Sequence, residues 1–233
     1  MTDAHLHFDF RALSARDRYK LLIGTVIPRP IAFVTTVNET GQANAAPFSF
    51  FNVLSADPPV VALGVENHPD MRFKDTGHNI RVTEEFTVNI VDDAMVEAMN
   101  ICAVPFPPDV DELARAGLTP VPGLHVGCPR ILEAPASLEC RRTMTLSLGK
   151  SRDIILGEVL GCFIRQEVVD PVRKHVDQTM MDAIGRLGGH GYARTRDQFD
   201  LPTLTVAEWE RRQAETDAPA HDSPPPKAAQ QEK

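Results

Sequence analysis

The 233-residue sequence contains no run of about 20 apolar residues, so we expect no membrane-spanning helix. Positive charge is also scarce. Its 24 Lys and Arg residues face 32 Asp and Glu residues, a formal net charge of −8, whereas a protein that binds duplex nucleic acid needs a basic face. The N-terminus has no apolar segment typical of a signal peptide. The four cysteines form no CxxC pair, which favours buried free thiols in a cytoplasmic protein.

Several catalytic signatures are missing as well. There is no GxSxG segment, so a Ser-His-Asp hydrolase is not indicated. The segment GRLGGHG has the glycines of a dinucleotide-binding loop but follows no predicted strand, so that interpretation is weak. His5 and His7 have the HxH spacing of some metal hydrolases, but only four residues precede His5, too few for the strand that would carry the pair. We therefore predict no metal site.

The sequence is well supplied with β-branched and apolar stretches of strand length. Predicted strands include IAFVTTV, PPVVALGVE, EFTVNIV and one long or broken strand, IILGEVLGCFIRQEVV. NETG predicts a hairpin turn in which Gly41 has positive φ. Asp93 and Asp109 are candidate caps of two short helices, the second ending at Gly117. The absence of a regular βαβ rhythm favours a closed or partly open antiparallel barrel over a doubly wound sheet.

The predicted hairpin over residues 27–51 is interrupted by prolines. Pro28 and Pro30 flank Arg29, and Pro47 lies within the return strand. Because proline cannot donate to a sheet ladder, it is confined to edges, first positions and bulges. A barrel corner with a bulge explains Pro47, but it does not explain an arginine held between two prolines. The freed backbone groups are suited to a flat polar ligand, with small and aromatic residues around it: Asn44, Ala45, Ala46, Phe48, Ser49, Phe50 and Phe51.

The segment MRFKDTGHNI predicts a helix N-terminus. Asp75 or Thr76 is a suitable N-cap, and the start of a helix combines free N–H groups with the positive end of the helix dipole. With Lys74 and the Thr76 hydroxyl beside it, this segment is suited to binding a phosphate. A capped helix with a solvated lysine is the alternative interpretation.

These motifs together resemble the flavin reductase-like family of FMN-binding split barrels, and its flavoredoxin-like branch in particular. The segments that carry the resemblance are VIPRPIAFVTTVNETGQANAAPFSFF, DPPVVALGV, KDTGHNI and EFTVNI. Later segments follow in the family's order: VDELARAGLTPV, PRILEAPASLEC, IILGEVL and IGRLGGHGYART. The resemblance extends from about Tyr19 to Arg194. We divide the chain into an N-terminal extension (1–18), a flavin reductase-like domain (19–212) and a Pro- and Ala-rich tail predicted to be disordered (213–233).

The resemblance implies a mainly β, antiparallel split barrel with short helices, assembled as a homodimer with one FMN per subunit. Hydride would come from NADH or NADPH, and reduced flavin or electrons would pass to a partner such as a monooxygenase. No catalytic side chain is predicted, because hydride passes directly between nicotinamide and flavin. By motif, Lys74, Asp75 and Thr76 would hold the phosphate, with Arg72 assisting. The full predicted FMN site is Arg29, Pro30, Thr36, Ala46, Pro47, Phe48, Ser49, Phe50, Arg72, Lys74, Asp75 and Thr76.

Two alternatives remain open from the sequence. An FMN electron carrier reduced by a protein partner would share the fold and the site. A split barrel that has lost its flavin would serve as a binding module, although the presence of Ser49, Lys74 and Thr76 argues against it. The sequence does not distinguish NADH from NADPH, or bound FMN from FMN as a passing substrate.

Overall fold

The computed structural model describes residues 4–107 and 110–217. The chain divides at Asp197 into two units. The described helices of the first unit are α1 (Ala15–Thr25), α2 (Asp75–Thr83), α3 (Val96–Ile101), α4 (Glu112–Ala116) and α5 (Gln178–Met181), with a 3-10 turn at Gln166–Val168. The second unit contains the helix α6 (Val206–Asp217).

The described strands all belong to the first unit. The first seven are β1 (Arg29–Pro30), β2 (Ala32–Val37), β3 (Ala43–Phe48), β4 (Phe51–Ala56), β5 (Pro59–Glu66), β6 (Glu85–Ile90) and β7 (Pro120–Val121). The others are β8 (Arg130–Ile131), β9 (Ala136–Ser147), β10 (Arg152–Ile164), β11 (Val169–Asp170), β12 (His175–Val176), β13 (Ile184–Arg186) and β14 (Tyr192–Arg194). The predicted strands are therefore present, and the long one is β10, whose pairing with β9 shifts register in two places. The last residues predicted for this strand instead form the 3-10 turn at Gln166–Val168 and the start of β11.

Seven strands form one antiparallel sheet in the order β3-β2-β6-β9-β10-β5-β4. Strand β2, the second in this order, is buried on both faces because its alternate side chains enter two cores. Phe33 packs with Met99 and the other residues of a core beside α3 and α4, whereas Val34 packs with Leu63 and Phe86 in the second core. This arrangement confirms the prediction of a mainly β, antiparallel barrel.

The barrel is open between its two edge strands. β3 and β4 lie at opposite ends of the strand order, yet only Ser49 and Phe50 separate them in the chain. Gly64 lies against this connection: its N–H donates to the Phe50 carbonyl at 2.7 Å, and a Cβ at Gly64 would lie 2.9 Å from Phe50 Cβ. Pro47 pairs with Phe33 in regular register on the edge strand β3, a position that proline tolerates. The outer side of β3 is consequently available to a ligand.

An ion pair connects α2 to the barrel wall. Arg81 on α2 lies 2.6 Å from the Asp153 carboxylate on β10, which also accepts a 2.6 Å hydrogen bond from the Ser147 hydroxyl. Burial raises the pKa of Asp153, but the hydrogen bonds from Ser147 and Arg81 outweigh it and hold the pKa below its ordinary value. This ion pair holds the C-terminal part of α2 against β10 and leaves the N-terminus of the helix unobstructed.

Turn predictions were more accurate than cap predictions. Gly41 has φ of +83° and Gly117 ends α4 in the left-handed region, as expected. The cap assigned to Asp93 was wrong, because the N-cap residue of α3 is Met95 and no side chain caps this helix; Asp92, not Asp93, accepts the N–H of Met95. Asp111 caps α4, and the candidate cap Asp109 lies outside the described residues.

Both predicted domain boundaries fall inside helices. Ser14 caps α1, so the boundary at residue 18 falls inside this helix. At the other end, α6 extends to Asp217, so residues 213–217 of the segment predicted to be disordered are helical. Residues 218–233 lie outside the described part. Within that part, no helix is long and apolar enough to cross a membrane. All four cysteines are free, and three are buried as predicted, whereas Cys162 is exposed.

Candidate functional site

A groove runs along the outer edge of β3. Its first part is a cavity of about 250 Å³, bounded by β3 and the start of α2 on one side and by the segment after α3 on the other. Six residues of the predicted FMN site line it: Ala46, Pro47, Phe48, Lys74, Asp75 and Thr76. The two motifs singled out in the sequence, 28 residues apart between Ala46 and Lys74, are thus brought together.

The N-terminus of α2 forms one end of this groove. The helix begins at Asp75 with Lys74 as its N-cap residue, and no side chain caps it, so the assignment of Asp75 or Thr76 as N-cap was wrong. The first intrahelical bond runs from the His78 N–H to the Lys74 carbonyl. The N–H groups of residues 75–77 precede that bond and have no intrahelical acceptor. A helix start with free donors and the positive dipole end is an anion-binding arrangement.

Two side chains add donors at this end. The Thr76 hydroxyl, in a side chain only 1% exposed, accepts a 3.0 Å hydrogen bond from the Asn44 amide on β3. Its own proton is free to point elsewhere, because a hydroxyl both donates and accepts. Lys74 is more exposed, at 43%, and its ammonium group lies 3.3 Å from the Glu66 carboxylate. Thr76 therefore has a fixed position, whereas Lys74 is a solvated charge at the mouth of the groove.

A carboxylate on the far wall was not anticipated from the sequence. Glu112 on α4 lines the groove, and its carboxylate accepts a hydrogen bond from the Ala45 N–H of β3. Burial, with smaller contributions from Asp75 and Asp111, raises the pKa of Glu112 despite that hydrogen bond. Because a negative charge repels an anion, the end of the groove toward α2 is better suited to an anion than the wall beside Glu112. Nothing in the local sequence distinguishes Glu112 from an ordinary first-turn helix residue.

The structure does not bring every predicted residue to the groove. Thr36 is fully buried, and its hydroxyl accepts a 3.0 Å hydrogen bond from Asn79 on α2. Arg72 lies on the surface, 78% exposed, in an ion pair with Asp70 at 2.6 Å. Arg29, Pro30 and Phe50 instead line a separate cavity of about 490 Å³ beside α1, which Ser49 also lines.

Arg29 is held by main-chain carbonyls. It is 7% exposed, and its guanidinium donates to the carbonyls of Ile23 (2.6 Å), Val26 (3.1 Å) and Leu187 (3.1 Å). A fourth bond, at 3.3 Å, reaches the Ser49 hydroxyl between β3 and β4. Burial lowers the pKa of Arg29. The arginine between two prolines therefore fixes α1 and the barrel opening in place.

The groove continues past Phe48 into a second cavity of about 230 Å³, which we call the wide end. Phe48 lies four positions after Asn44, so β3 spans about 13 Å between the α2 end and the wide end. The wide end shares Pro47, Phe48 and Ala103 with the first part of the groove. Its other lining residues are Tyr19, Ile31, Ser49, Met99, Asn100, Arg186 and Tyr192, most of which sequence reasoning missed.

Residues 23–186 match the family described as the flavin reductase like domain, and this match covers more than half of the chain. The chain belongs to the flavin reductase-like family, as its motifs indicated. Among solved structures, component B of nitrilotriacetate monooxygenase from Bacillus cereus is 33% identical with a TM-score of 0.81, covering 86% of this chain and 100% of that one. The 2-nitrobenzoate 2-nitroreductase NbaA from Pseudomonas fluorescens is 35% identical with a TM-score of 0.80, covering 86% and 98%.

A more distant structure supports the fold. Flavoredoxin of Desulfovibrio vulgaris (Miyazaki F) has a TM-score of 0.67 at 20% identity, covering 78% of this chain and 94% of that one. The family match and the barrel opening between β3 and β4 together confirm the split barrel that the resemblance implied.

Proposed function

We propose that this protein is a flavin-dependent oxidoreductase that binds FMN in the β3 groove and accepts hydride from NADH or NADPH. The observation that carries the proposal is the uncapped start of α2, whose free N–H groups open on the groove. Membership of a flavin reductase-like family supports a flavin ligand, and the anion site supports a phosphorylated one, FMN.

The residues of the groove fit FMN at both ends. At the α2 end, the first-turn N–H groups, the Thr76 hydroxyl and Lys74 would hold the phosphate. Toward the wide end, Pro47, Phe48 and Ala103 would supply walls for a flat ring system, while the free edge of β3 would offer backbone hydrogen bonds. The span of about 13 Å along β3 suits a ligand with a phosphate at one end and a ring system at the other.

The protein's part in the reaction is binding and orientation. Bound FMN would supply the redox chemistry, because it accepts two electrons as hydride. Pro47 lacks an N–H and offers only its carbonyl to a ligand. Ser49 accepts from Arg29 and keeps its own hydroxyl proton for a second partner. Since hydride transfer between nicotinamide and flavin needs no proton relay, we assign no side chain as a general acid or base.

The assembly and the acceptor are also proposals. We infer a homodimer, because the edge strand β4 exposes two adjacent apolar side chains, Val53 (61%) and Leu54 (60%), that a second subunit would cover. The likeness to component B of a monooxygenase supports delivery of reduced flavin or electrons to a partner monooxygenase. A cytoplasmic location stays a prediction from the sequence.

The proposal is tested by the visible spectrum of the purified protein after FMN is added and unbound flavin removed, followed by anaerobic NADH or NADPH. Flavin bands that stay with the protein and bleach would support it, and the faster donor identifies the nicotinamide. Retained bands that neither donor bleaches would instead favour an electron carrier reduced by a protein. If no flavin is retained, turnover with free FMN would indicate flavin as a passing substrate. Its absence would leave a flavin-free barrel and refute the proposal.

A further inference from the structure

Arg186, which lines the wide end of the groove, lies directly opposite a second arginine in a small sheet. Arg29 on β1 pairs with Arg186 on β13 in antiparallel register, so both side chains leave the same face of this small sheet. Like charges at directly opposed positions destabilise a strand pair. Burial lowers the pKa of Arg29, and the charge on Arg186 contributes further to that lowering. The pairing is therefore electrostatically unfavourable.

Neither arginine has a carboxylate partner within the described residues. Arg29 donates only to carbonyls and to the Ser49 hydroxyl. Arg186 donates to the Gly189 carbonyl at 2.7 Å, and its guanidinium lies 4.4 Å from the centre of the Tyr192 ring. Two positive charges thus stand together without a counter-ion in a chain whose formal net charge is −8.

Arg186 lines the cavity at the wide end. Arg29 instead donates a hydrogen bond to the Ser49 hydroxyl and lines the separate cavity beside α1. None of the described residues that line the wide end is acidic. The α2 end differs, since Asp75 and Glu112 line it together with Lys74. The wide end is therefore the part of the groove in which an added negative charge meets the Arg186 cation and no anion, and low-dielectric walls strengthen that attraction.

The geometry points to Arg186 as the residue that compensates the charge acquired by the cofactor on reduction, so that the protein binds reduced FMN more tightly than oxidised FMN. This inference rests on the proposed function. Hydride carries two electrons and one proton from the nicotinamide donor, which becomes the oxidised nicotinamide. A neutral flavin ring that received this hydride would carry one negative charge, with no further proton required. A positive charge at the ring end of the groove stabilises this product over the neutral ring.

The consequence is retention of the reduced cofactor. The logarithm of the ratio of the dissociation constants for oxidised and reduced FMN sets the shift of the midpoint potential on binding, about 30 mV for each factor of ten in a two-electron couple. A protein that favours the anionic form raises the potential and releases flavin more readily after oxidation than before it. Arg186 would thereby favour transfer of electrons from bound flavin over release of reduced flavin.

The test is the midpoint potential of bound FMN, measured by anaerobic dye-coupled titration in Arg186→Gln, Arg186→Lys and a matched control, Arg194→Gln. Arg194 lies on the adjacent strand β14 and pairs with Asp93 at 2.9 Å, so its loss changes the net charge equally without affecting the wide end. We expect Arg186→Gln to reduce the preference for reduced FMN at least about tenfold, a potential about 30 mV more negative. Arg186→Lys and Arg194→Gln should remain close to the unmodified protein.

Several results would overturn the inference. An unchanged potential in flavin-loaded Arg186→Gln would do so, as would an equal shift in Arg194→Gln. A role limited to holding the turn at Gly189 would lower the melting temperature and weaken both redox forms of FMN equally. The unmodified protein offers a test that needs no variant: reduced FMN should bind more tightly than oxidised FMN, and equal or weaker binding contradicts the inference. If neither form binds, the proposed function itself fails, and this outcome is distinct from the others.

Discussion

Replacing Lys74 by Ala together with Thr76 by Val should weaken FMN binding while leaving some affinity. Valine keeps the shape of the buried threonine and removes only its hydroxyl. A hydrogen bond from Thr76 to a charged phosphate contributes about 1.5–3 kcal/mol. Lys74 is 43% exposed and shared with Glu66, so its contribution is nearer to about 0.5–1 kcal/mol. The sum of about 2–4 kcal/mol corresponds to a roughly 30- to 700-fold higher Kd.

The assay is a flavin titration followed by fluorescence quenching, with FMN and riboflavin compared on each protein. Riboflavin lacks the phosphate, so its Kd should not change in the double variant. The backbone N–H groups of α2 persist in the variant, and FMN should therefore still bind more tightly than riboflavin. Arg72→Ala is the control, since this residue pairs with Asp70 outside the groove and should leave both affinities unchanged.

The phosphate assignment is refuted if the double variant loses affinity for FMN and riboflavin by the same factor, because the two residues would then act on the ring or on the fold. Unchanged FMN affinity would refute it as well. Thermal unfolding of the variant without flavin separates a damaged fold from a damaged site. The Asn44 amide loses its acceptor in the variant, so a modest decrease in melting temperature is expected in any case.

Three further predictions concern the fold and the assembly. Gly64→Ala should lower the melting temperature, because the new Cβ would lie 2.9 Å from Phe50 Cβ. The control is Gly24→Ala in α1, where the new Cβ meets no atom within 4 Å, and this variant should be neutral or more stable. Because hydrogen bonds hold the pKa of Asp153 below its unfolded value of about 3.9, its ionised form contributes stability that is lost as the pH falls through the folded pKa. The unfolding free energy of Asp153→Asn should accordingly fall less steeply than that of the unmodified protein below about pH 4, and an equal slope would contradict this account. Solution scattering should give twice the mass of one chain, and Leu54→Glu should halve it; a monomeric unmodified protein would refute the proposed homodimer.

The parts of the fold that depend on local pattern could be predicted from the sequence. β2 was recognisable because its β-branched and aromatic residues are concentrated within six positions. The turn at Gly41 was recognisable because only a few residue types tolerate positive φ. The two segments that line the first part of the groove, β3 and the start of α2, were found for the same reason. A proline in an edge strand and a helix start beside a lysine are both local signals.

The remaining site residues depend on neighbours that are distant in sequence. Thr36 was placed near the ligand, but its hydroxyl bonds to Asn79, 43 residues away. Arg29 was expected beside the ring, yet it binds carbonyls of α1 and of Leu187, 158 residues away. The far wall and Glu112 are positioned by packing of α3 and α4 against the sheet, for which no short motif exists.

Pro47 also matters for solubility. An edge strand with free backbone groups is a template on which a strand of another molecule can add, and this risk is greatest when no ligand covers the edge. β3 is six residues long, and its proline removes one N–H donor from the ladder that such an addition would need. The residue that leaves a flavin access to the strand edge therefore also prevents a continuous ladder of hydrogen bonds to a second chain. Any substitution that restores the N–H at position 47 would make the cofactor-free protein more prone to associate through β3.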